Sequence, residues 1–310
     1  MLDFDPVVVK KAIKRSLLIL GLGFILFLAY SSWDVLQPNI QRAETGFLTG
    51  SIVFAVIGLF LNGLYFQSLL LKYGCELDAL EGVKVFVTSH AAKYIPGKIW
   101  GLAFQITHLT QNQQPVNKVS MAVVLANVEF SLGLMVCTFF VAMAALAWMV
   151  SPVLSLCALA CGTVLFVFLS RNFLVDDLIQ GFATRFLGLK VEPASRRPST
   201  VRRSTGLFLG QSAFYLISLI FAVFSFYDLS FEDVLVIITI HSFSVIASAL
   251  VFVVPSGVGV REALFLALTK LMPVELSFEE LVALAVLMRA LQILIEACAI
   301  ALVPLLGGKK

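Results

Sequence analysis

The feature of this sequence that most limits its possible folds is a series of long apolar runs. A helix rises 1.5 Å per residue, so about 20 apolar residues cross the ~30 Å hydrocarbon core of a bilayer. Hydrophobic residues make up 60% of the chain and charged residues only 13%, which excludes an ordinary soluble domain. The runs long enough to span a membrane are 16–33, 47–71, 119–148, 153–170, 206–227, 233–254 and 281–305. We predict an all-α polytopic membrane protein with about seven or eight transmembrane helices, forming a single integral membrane domain over residues 1–310.

Two further apolar segments are too short to cross a bilayer unaided. Residues 83–110 are interrupted by Pro96-Gly97, which leaves two pieces of about 13 residues. Residues 259–272 supply only about 14 residues after the run "VPSGVG". Pieces of this length reach about 20 Å. The sequence therefore predicts one or two re-entrant or broken helices in addition to the full spans.

The positions of the basic residues predict the orientation of the chain, because Lys and Arg concentrate in cytoplasmic loops. The N-terminal tail, the loop 171–205 and the C-terminal Lys309-Lys310 are basic. All three lie on one side only if 83–110 enters and leaves the membrane on the same side. The charges therefore favour a re-entrant hairpin there and cytoplasmic N- and C-termini. For 234–272 they leave open a full span with a short one, or a second hairpin that enters from outside.

Two other segments bear on this topology. The basic N-terminus followed by "SLLILGLGFILFLAY" also fits a signal peptide. Because further spans follow at once, we favour an uncleaved first transmembrane helix. Within the basic cytoplasmic loop, apolar residues recur at near-helical spacing over 171–190, which predicts an amphipathic helix on the inner leaflet. The connector "SRRPSTVRRS" that follows is suited to attract anionic headgroups.

Each interruption places basic residues beside a helix break. The first reads "KYIPGKIWG" and the second "VVPSGVGVRE". A helix that restarts after a break directs its free N–H groups and positive dipole end toward the break, and a cation there completes an anion site. Phosphate is the natural ligand; the opposing interpretation is that the prolines only kink two spans. The candidate binding residues at the breaks are Lys93, Pro96, Gly97, Lys98, Pro255, Gly257, Gly259, Arg261 and Glu262.

Further ionisable residues lie within the predicted spans. Arg289 and Glu296 share one face of the last span with Gln292, and His241 lies on a polar face of the span 233–254. Left facing lipid, charged groups cost several kcal/mol, so we expect them to face a cavity and pair with one another. The alternatives are a structural ion pair between Arg289 and Glu296, and a hydrogen-bonded core histidine.

Glu129 lies near the middle of the span 119–148, and we expect it to balance Lys93 or Lys98. With Arg261 and Arg289, the buried cations slightly outnumber the buried anions. Such an interior suits an anionic group carried on an apolar tail, which describes a lipid phosphate.

The two motifs, about 155 residues apart and followed by a late membrane arginine, resemble the lysylphosphatidylglycerol synthase transmembrane-region family. This family includes the flippase half of the bacterial multiple peptide resistance factor. The resemblance implies a bundle of about eight helices with re-entrant segments in the bacterial cytoplasmic (inner) membrane. It also implies a role in moving or handling charged phospholipids or polyprenyl-linked lipids. The full-length synthase continues into a soluble aminoacyl-transfer domain, whereas this chain ends at "GGKK", so we expect no aminoacyl-tRNA chemistry from it.

Three classes of function fit these residues. The first is a lipid translocase that holds the headgroup of an anionic lipid at the two breaks. The sequence has no GxxxxGK[ST] loop, so we expect downhill or ion-coupled movement, with Glu129, Glu262 or His241 as a proton carrier. The second is a membrane enzyme, but "PSG" has Val258 where a phosphatase needs its histidine, and no HExxH is present. The third is a non-transporting subunit that binds anionic lipid and regulates a partner lipid synthase or glycosyltransferase.

Of these classes we favour the translocase. We accordingly expect no enzyme activity, no cofactor, no metal ion and no nucleic-acid partner.

Overall fold

The computed structural model describes residues 27, 30–31, 33–92, 100–110, 116–148, 151–171, 181, 198–250, 257, 259–272 and 274–307. Within these residues all regular structure is helical. The helices are α1 Trp33–Arg42, α2 Thr45–Lys72, α3 Ala79–Ala91, α4 Trp100–Thr110, α5 Val116–Trp148, α6 Pro152–Arg171, α7 Pro198–Phe226, α8 Phe231–Leu250, α9 Val260–Thr269 and α10 Phe278–Leu302, followed by a 3₁₀ turn, Val303–Leu306.

Five helices of the described chain are long and apolar enough to cross a membrane. They are Thr45–Lys72, Val116–Val141, Arg202–Phe226, Phe231–Ser248 and Phe278–Leu306. These coincide with five of the apolar runs that hydropathy predicts to be long enough to span a membrane. The predicted span 153–170 coincides with α6, in which Val153–Gly162 is a shorter apolar helix. Most of the predicted span 16–33, and nearly all of the predicted amphipathic helix 171–190, lie outside the described residues.

The centre of the bundle is the antiparallel pair α2 and α7. The Ser51 hydroxyl donates to the Ser218 carbonyl at 2.9 Å, and the Ser218 hydroxyl donates to the Ser51 carbonyl at 2.9 Å. Toward one end, the Glu44 N–H donates to the Ser225 carbonyl at 2.9 Å. Toward the other, Gly58 faces the backbone of Gln211. The reciprocal serine bonds therefore lie on a local two-fold axis that relates the two helices.

The two ends of the bundle differ in charge. The acidic end combines the start of α2, the end of α7 and the start of α10, where the Tyr227 hydroxyl donates to the Glu280 carbonyl at 3.2 Å. The basic end combines the end of α2 with the starts of α3, α5 and α7, and its Lys84, Lys118, Arg202 and Arg203 outnumber Glu76, Asp78 and Glu81. This division follows the charge pattern of the sequence.

Helices α3 and α4 form a short antiparallel hairpin that opens at the basic end. Close to the reversal between the end of α3 and the start of α4, the Gln105 amide donates to the Ser89 hydroxyl at 2.8 Å. Near its base, His108 Nε2 is hydrogen-bonded to Glu81 Oε1 at 2.6 Å. The base packs on α2, where Gln67 donates to the Leu77 carbonyl at 2.7 Å. The helices have 13 and 11 residues, or about 20 and 16 Å, so neither could cross a bilayer.

Helices α8 and α9 form a second antiparallel hairpin, which opens at the acidic end. At its outer end the rings of Phe231 and Trp148 lie 6.2 Å apart, and Lys270 Nζ lies 5.9 Å from the Phe278 ring. The chain returns through glycines with φ of 65° at Gly257 and 82° at Gly259, a region that L side chains avoid. Helix α9 has only ten residues and ends where α8 began.

The order of elements repeats with reversed direction. Helix α2, the hairpin α3–α4 and helix α5 form the first repeat, and helix α7, the hairpin α8–α9 and helix α10 form the second. The first hairpin opens at the basic end and the second at the acidic end. Inverted repeats of this kind are characteristic of transporters, whose binding sites lie at the repeat interface.

Candidate functional site

A cavity of about 310 Å³ lies at the interface of the two repeats. Ser51 and Ser218, the pair on the local two-fold axis, both line it. The first hairpin contributes His90, one residue before α3 ends, and the second contributes Arg261, one residue after α9 begins. The described helices that flank the two predicted breaks therefore each contribute a side chain to one cavity.

Arg261 is the cation of this cavity and is only 6% exposed. Its Nη2 lies 2.7 Å from His241 Nε2, and its Nη1 donates to Gln292 Oε1. A guanidinium can only donate, so His241 Nε2 accepts and the imidazole is neutral, with its proton on Nδ1. His241 is thus the hydrogen-bonded core histidine that the sequence offered as an alternative, yet it also lines the cavity.

Gln292 connects this arginine to a carboxylate. Its amide nitrogen donates to Glu296 Oε1 at 2.9 Å, while its amide oxygen accepts from Arg261. Gln292 and Glu296 both line the cavity, as their spacing of four on one helical face predicts. Among the described residues, both hydrogen-bonding partners of Arg261 are neutral, and none supplies a carboxylate within ion-pair distance of it. The guanidinium is therefore hydrogen-bonded to neutral groups, while Glu262 and Glu296 lie within electrostatic range and partly balance its charge.

Glu262 and Arg289 lie behind the cavity and do not line it. Glu262 is 2% exposed; its Oε2 accepts from the Gly259 N–H at 2.8 Å, which caps the start of α9. Its Oε1 lies 4.0 Å from Arg289 Nε and has no hydrogen-bond partner in the described part of the chain. The pair therefore anchors α9 to α10. The glycines of the break also lie outside the lining, and Gly257 packs against Ser248.

Glu129 has partners that the sequence did not indicate. Both of its oxygens accept from Lys72 Nζ at 3.0 Å, and Oε2 accepts from the Tyr73 hydroxyl at 2.7 Å. Glu129 does not line the cavity. Its expected partners lie outside the described residues, together with the remaining predicted site residues. These are Lys93, Pro96, Gly97, Lys98 and Pro255.

Several polar residues of the cavity were missed by the sequence reasoning because each stands alone in an apolar run. The helical spacing of these residues could have identified them. On α7, Gln211, Tyr215 and Ser218 follow one another at spacings of four and three, which places them on one face. Helix α2 likewise has a row of small and polar residues on one face at spacings of three and four: Ser51, Ala55, Gly58 and Asn62. Within the described chain, no cluster of three or more His, Cys, Asp or Glu side chains could hold a metal ion.

The model of a protein family described as lysylphosphatidylglycerol synthase TM region matches residues 15–299 of this sequence. The chain belongs to this family. The match spans both repeats and both hairpins, and it confirms the resemblance carried by the two break motifs. Membership makes the chain a multi-pass membrane protein and connects it with membrane lipids. Comparison with curated proteins and with solved structures found no match.

Proposed function

We propose that this family member is a lipid translocase of the bacterial cytoplasmic membrane. Its cargo is an anionic phospholipid or a polyprenyl-phosphate-linked lipid. The headgroup binds in the cavity between the repeats while the tails stay in the bilayer. The observation that carries the proposal is that two hairpins, opening at opposite ends of the bundle, reach one cavity that contains the buried Arg261.

Affinity for an anion follows from the surroundings of Arg261. The guanidinium lies in the first turn of α9, where the Glu262 carboxylate already accepts from the Gly259 N–H, so the attraction for an anion comes from the guanidinium itself. Its hydrogen-bonding partners, His241 and Gln292, are neutral. A phosphate oxygen that replaces one of them pairs the guanidinium with a charged acceptor, so the attraction of opposite charges is added to the hydrogen bond. Glu296, on the same wall, disfavours a second negative charge close to it.

Movement across the membrane follows from the paired hairpins. Non-helical backbone is tolerated at membrane depth only where protein buries it or it lines a cavity. We therefore interpret α3–α4 and α8–α9 as re-entrant hairpins, and α6 and the predicted span 16–33 as further transmembrane helices. The basic end is then cytoplasmic. If each hairpin moves in turn, the cavity opens first to one leaflet and then to the other.

The test uses the full-length protein in liposomes with labelled phosphatidylglycerol, polyprenyl phosphate and phosphatidylcholine. We expect the wild type to move the anionic lipids faster than phosphatidylcholine. Arg261→Ala should slow the anionic lipids at least about tenfold, because hydrogen bonds to charged groups contribute about 1.5–3 kcal/mol. Arg42→Ala, at an exposed arginine, is the matched control and should behave as wild type. Lys98→Ala probes the first break in the same assay.

Equal scrambling of all three lipids by the wild type and by Arg261→Ala would refute the proposal. Saturable binding of anionic lipid with no movement would instead support the non-transporting subunit that regulates a partner enzyme.

A further inference from the structure

Tyr215 belongs both to the cavity and to the outer surface of the described bundle. It lines the cavity together with Arg261 and Glu296. Its side chain is nevertheless 44% exposed. Tyr215 lies near the middle of α7, and its backbone nitrogen faces Gly58 in the middle of α2. The cavity therefore reaches the side of the bundle at mid-depth, where the surroundings are hydrocarbon rather than water.

We call the opening at Tyr215 the lateral mouth. The residues that line the cavity on the three neighbouring helices include Leu134, Cys137 and Val141 of α5, Ser212 and Tyr215 of α7, and His241, Ser242, Val245 and Ile246 of α8. The lining is thus charged at Arg261 and mostly apolar toward the lateral mouth.

We propose that the lateral mouth is the passage through which the hydrocarbon chain of a bound lipid extends from the cavity into the bilayer. This inference rests on the proposed function and adds the path of the tail. A cavity of about 310 Å³ is at the small end of ligand sites, which measure about 300–1,000 Å³, so it suits a headgroup without its long chains. Tyr215, with an apolar ring and a polar hydroxyl, lies where headgroup and tail meet.

The polarity of the opening identifies its occupant. A soluble ligand would need polar groups along its path, whereas α5 and α8 present aliphatic side chains there. An amphiphile with its phosphate at Arg261 and its chain beside Val141 satisfies both parts of the lining. The rival occupant is another part of this chain, such as residues 1–26.

The test is photo-crosslinking in liposomes that contain the full-length protein. The probe is phosphatidylglycerol with a diazirine at the end of one acyl chain, and adducts are mapped by mass spectrometry. We expect adducts at Val141 and Tyr215 that excess unlabelled phosphatidylglycerol removes and excess phosphatidylcholine does not. Phe139, on the same helix and 56% exposed, is the matched control, and both lipids should dilute its adducts equally.

A second experiment narrows the lateral mouth. We expect Val141→Trp to reduce both the saturable adducts at Tyr215 and the rate of lipid movement at least about fivefold, while Phe139→Trp leaves both unchanged. Glycerol 1-phosphate, a headgroup with no chain, should protect Arg261 from arginine-modifying reagents equally well in both variants. Unchanged crosslinking in Val141→Trp would overturn the inference.

The outcomes separate this inference from the proposed function, because crosslinking requires no translocation. Saturable adducts without lipid movement would support the lateral mouth and refute the translocase. Lipid movement without adducts at Val141 and Tyr215 would support the translocase and refute the lateral mouth. Failure of any lipid to label the lateral mouth, as expected if residues 1–26 cover it, also overturns the inference.

Discussion

Lys72 and Glu129 show how single residues hold this bundle together. Their side chains are 4% and 12% exposed, and the ammonium contacts both carboxylate oxygens at 3.0 Å. A buried pair of this kind is weak evidence of net stabilisation, because both ions lose their hydration. Removal of one partner is costly, since the other charge stays buried and loses this ion pair.

We expect Lys72→Met to destabilise the detergent-solubilised protein by about 3–5 kcal/mol, seen as a lower midpoint of thermal unfolding. The double variant Lys72→Met/Glu129→Leu should recover most of this loss. Lys84→Met is the control, because Lys84 meets Glu81 at only 3.9 Å in a partly exposed pair, and its change should be small. Equal unfolding temperatures for the single and double variants would show that the pair is not coupled.

At this scale, the sequence indicated which residues are chemically active but not which of them meet. Arg261, Gln292 and Glu296 were recognisable because polar groups in apolar helices must find partners. Lys72 was not recognised, because it lies one residue beyond the predicted span 47–71. Its partner Glu129 is 57 residues away in the chain, and no local spacing rule reaches that far.

At the scale of elements, close approach between helices depends on glycine. A Cβ at Gly63 would lie 2.6 Å from the Cα of Val83, so α2 and the first hairpin touch through their backbones. Small residues allow such contacts in membrane helices, where packing replaces the hydrophobic effect as the driving force for association.

Gly63→Ala should separate α2 from α3 and destabilise the protein by about 1–3 kcal/mol, because backbone atoms cannot move aside as a flexible side chain can. The matched control is Gly206→Ala on α7, where a new Cβ meets no heavy atom within 4 Å. The midpoint of thermal unfolding in detergent measures the stability of both variants. A Gly63→Ala variant as stable as Gly206→Ala would contradict this packing.

Hydropathy and the prolines were sufficient to find most elements, because length and apolarity decide whether a helix can span a bilayer. Five apolar helices were predicted in this way, whereas most residues of the two predicted breaks lie outside the described chain. The direction of the second hairpin was not predicted, because the loops that flank 234–272 contain too few basic residues to define a side of the membrane. Its direction depends on contacts such as that between His241 and Arg261.

For the whole molecule, the opposite charges of the two ends predict how the protein lies in its membrane. In a variant without native cysteines, we expect Asp228→Cys to react with an impermeant maleimide added outside intact spheroplasts. Arg203→Cys and Thr110→Cys should react only after the membrane is opened. Reaction of Thr110→Cys and Arg203→Cys from different sides would contradict a hairpin that opens at the basic end.

The repeat architecture could not be predicted from the sequence, because the two halves share the order of their helices but little sequence similarity. The break motifs "YIPGKIWG" and "VPSGVGVRE" have only proline and glycine in similar places. The relation between the halves depends on contacts such as that between Ser51 and Ser218, which are 167 residues apart.

The reciprocal bonds between Ser51 and Ser218 have a mechanical consequence. In the translocase proposed above, two equivalent bonds at the contact between α2 and α7 would favour neither hairpin, so the outward-open and inward-open conformations would be close in energy. Any bias between them would then come from the bound lipid and from gradients across the bilayer. One bound headgroup would be enough to change the populations of the two conformations.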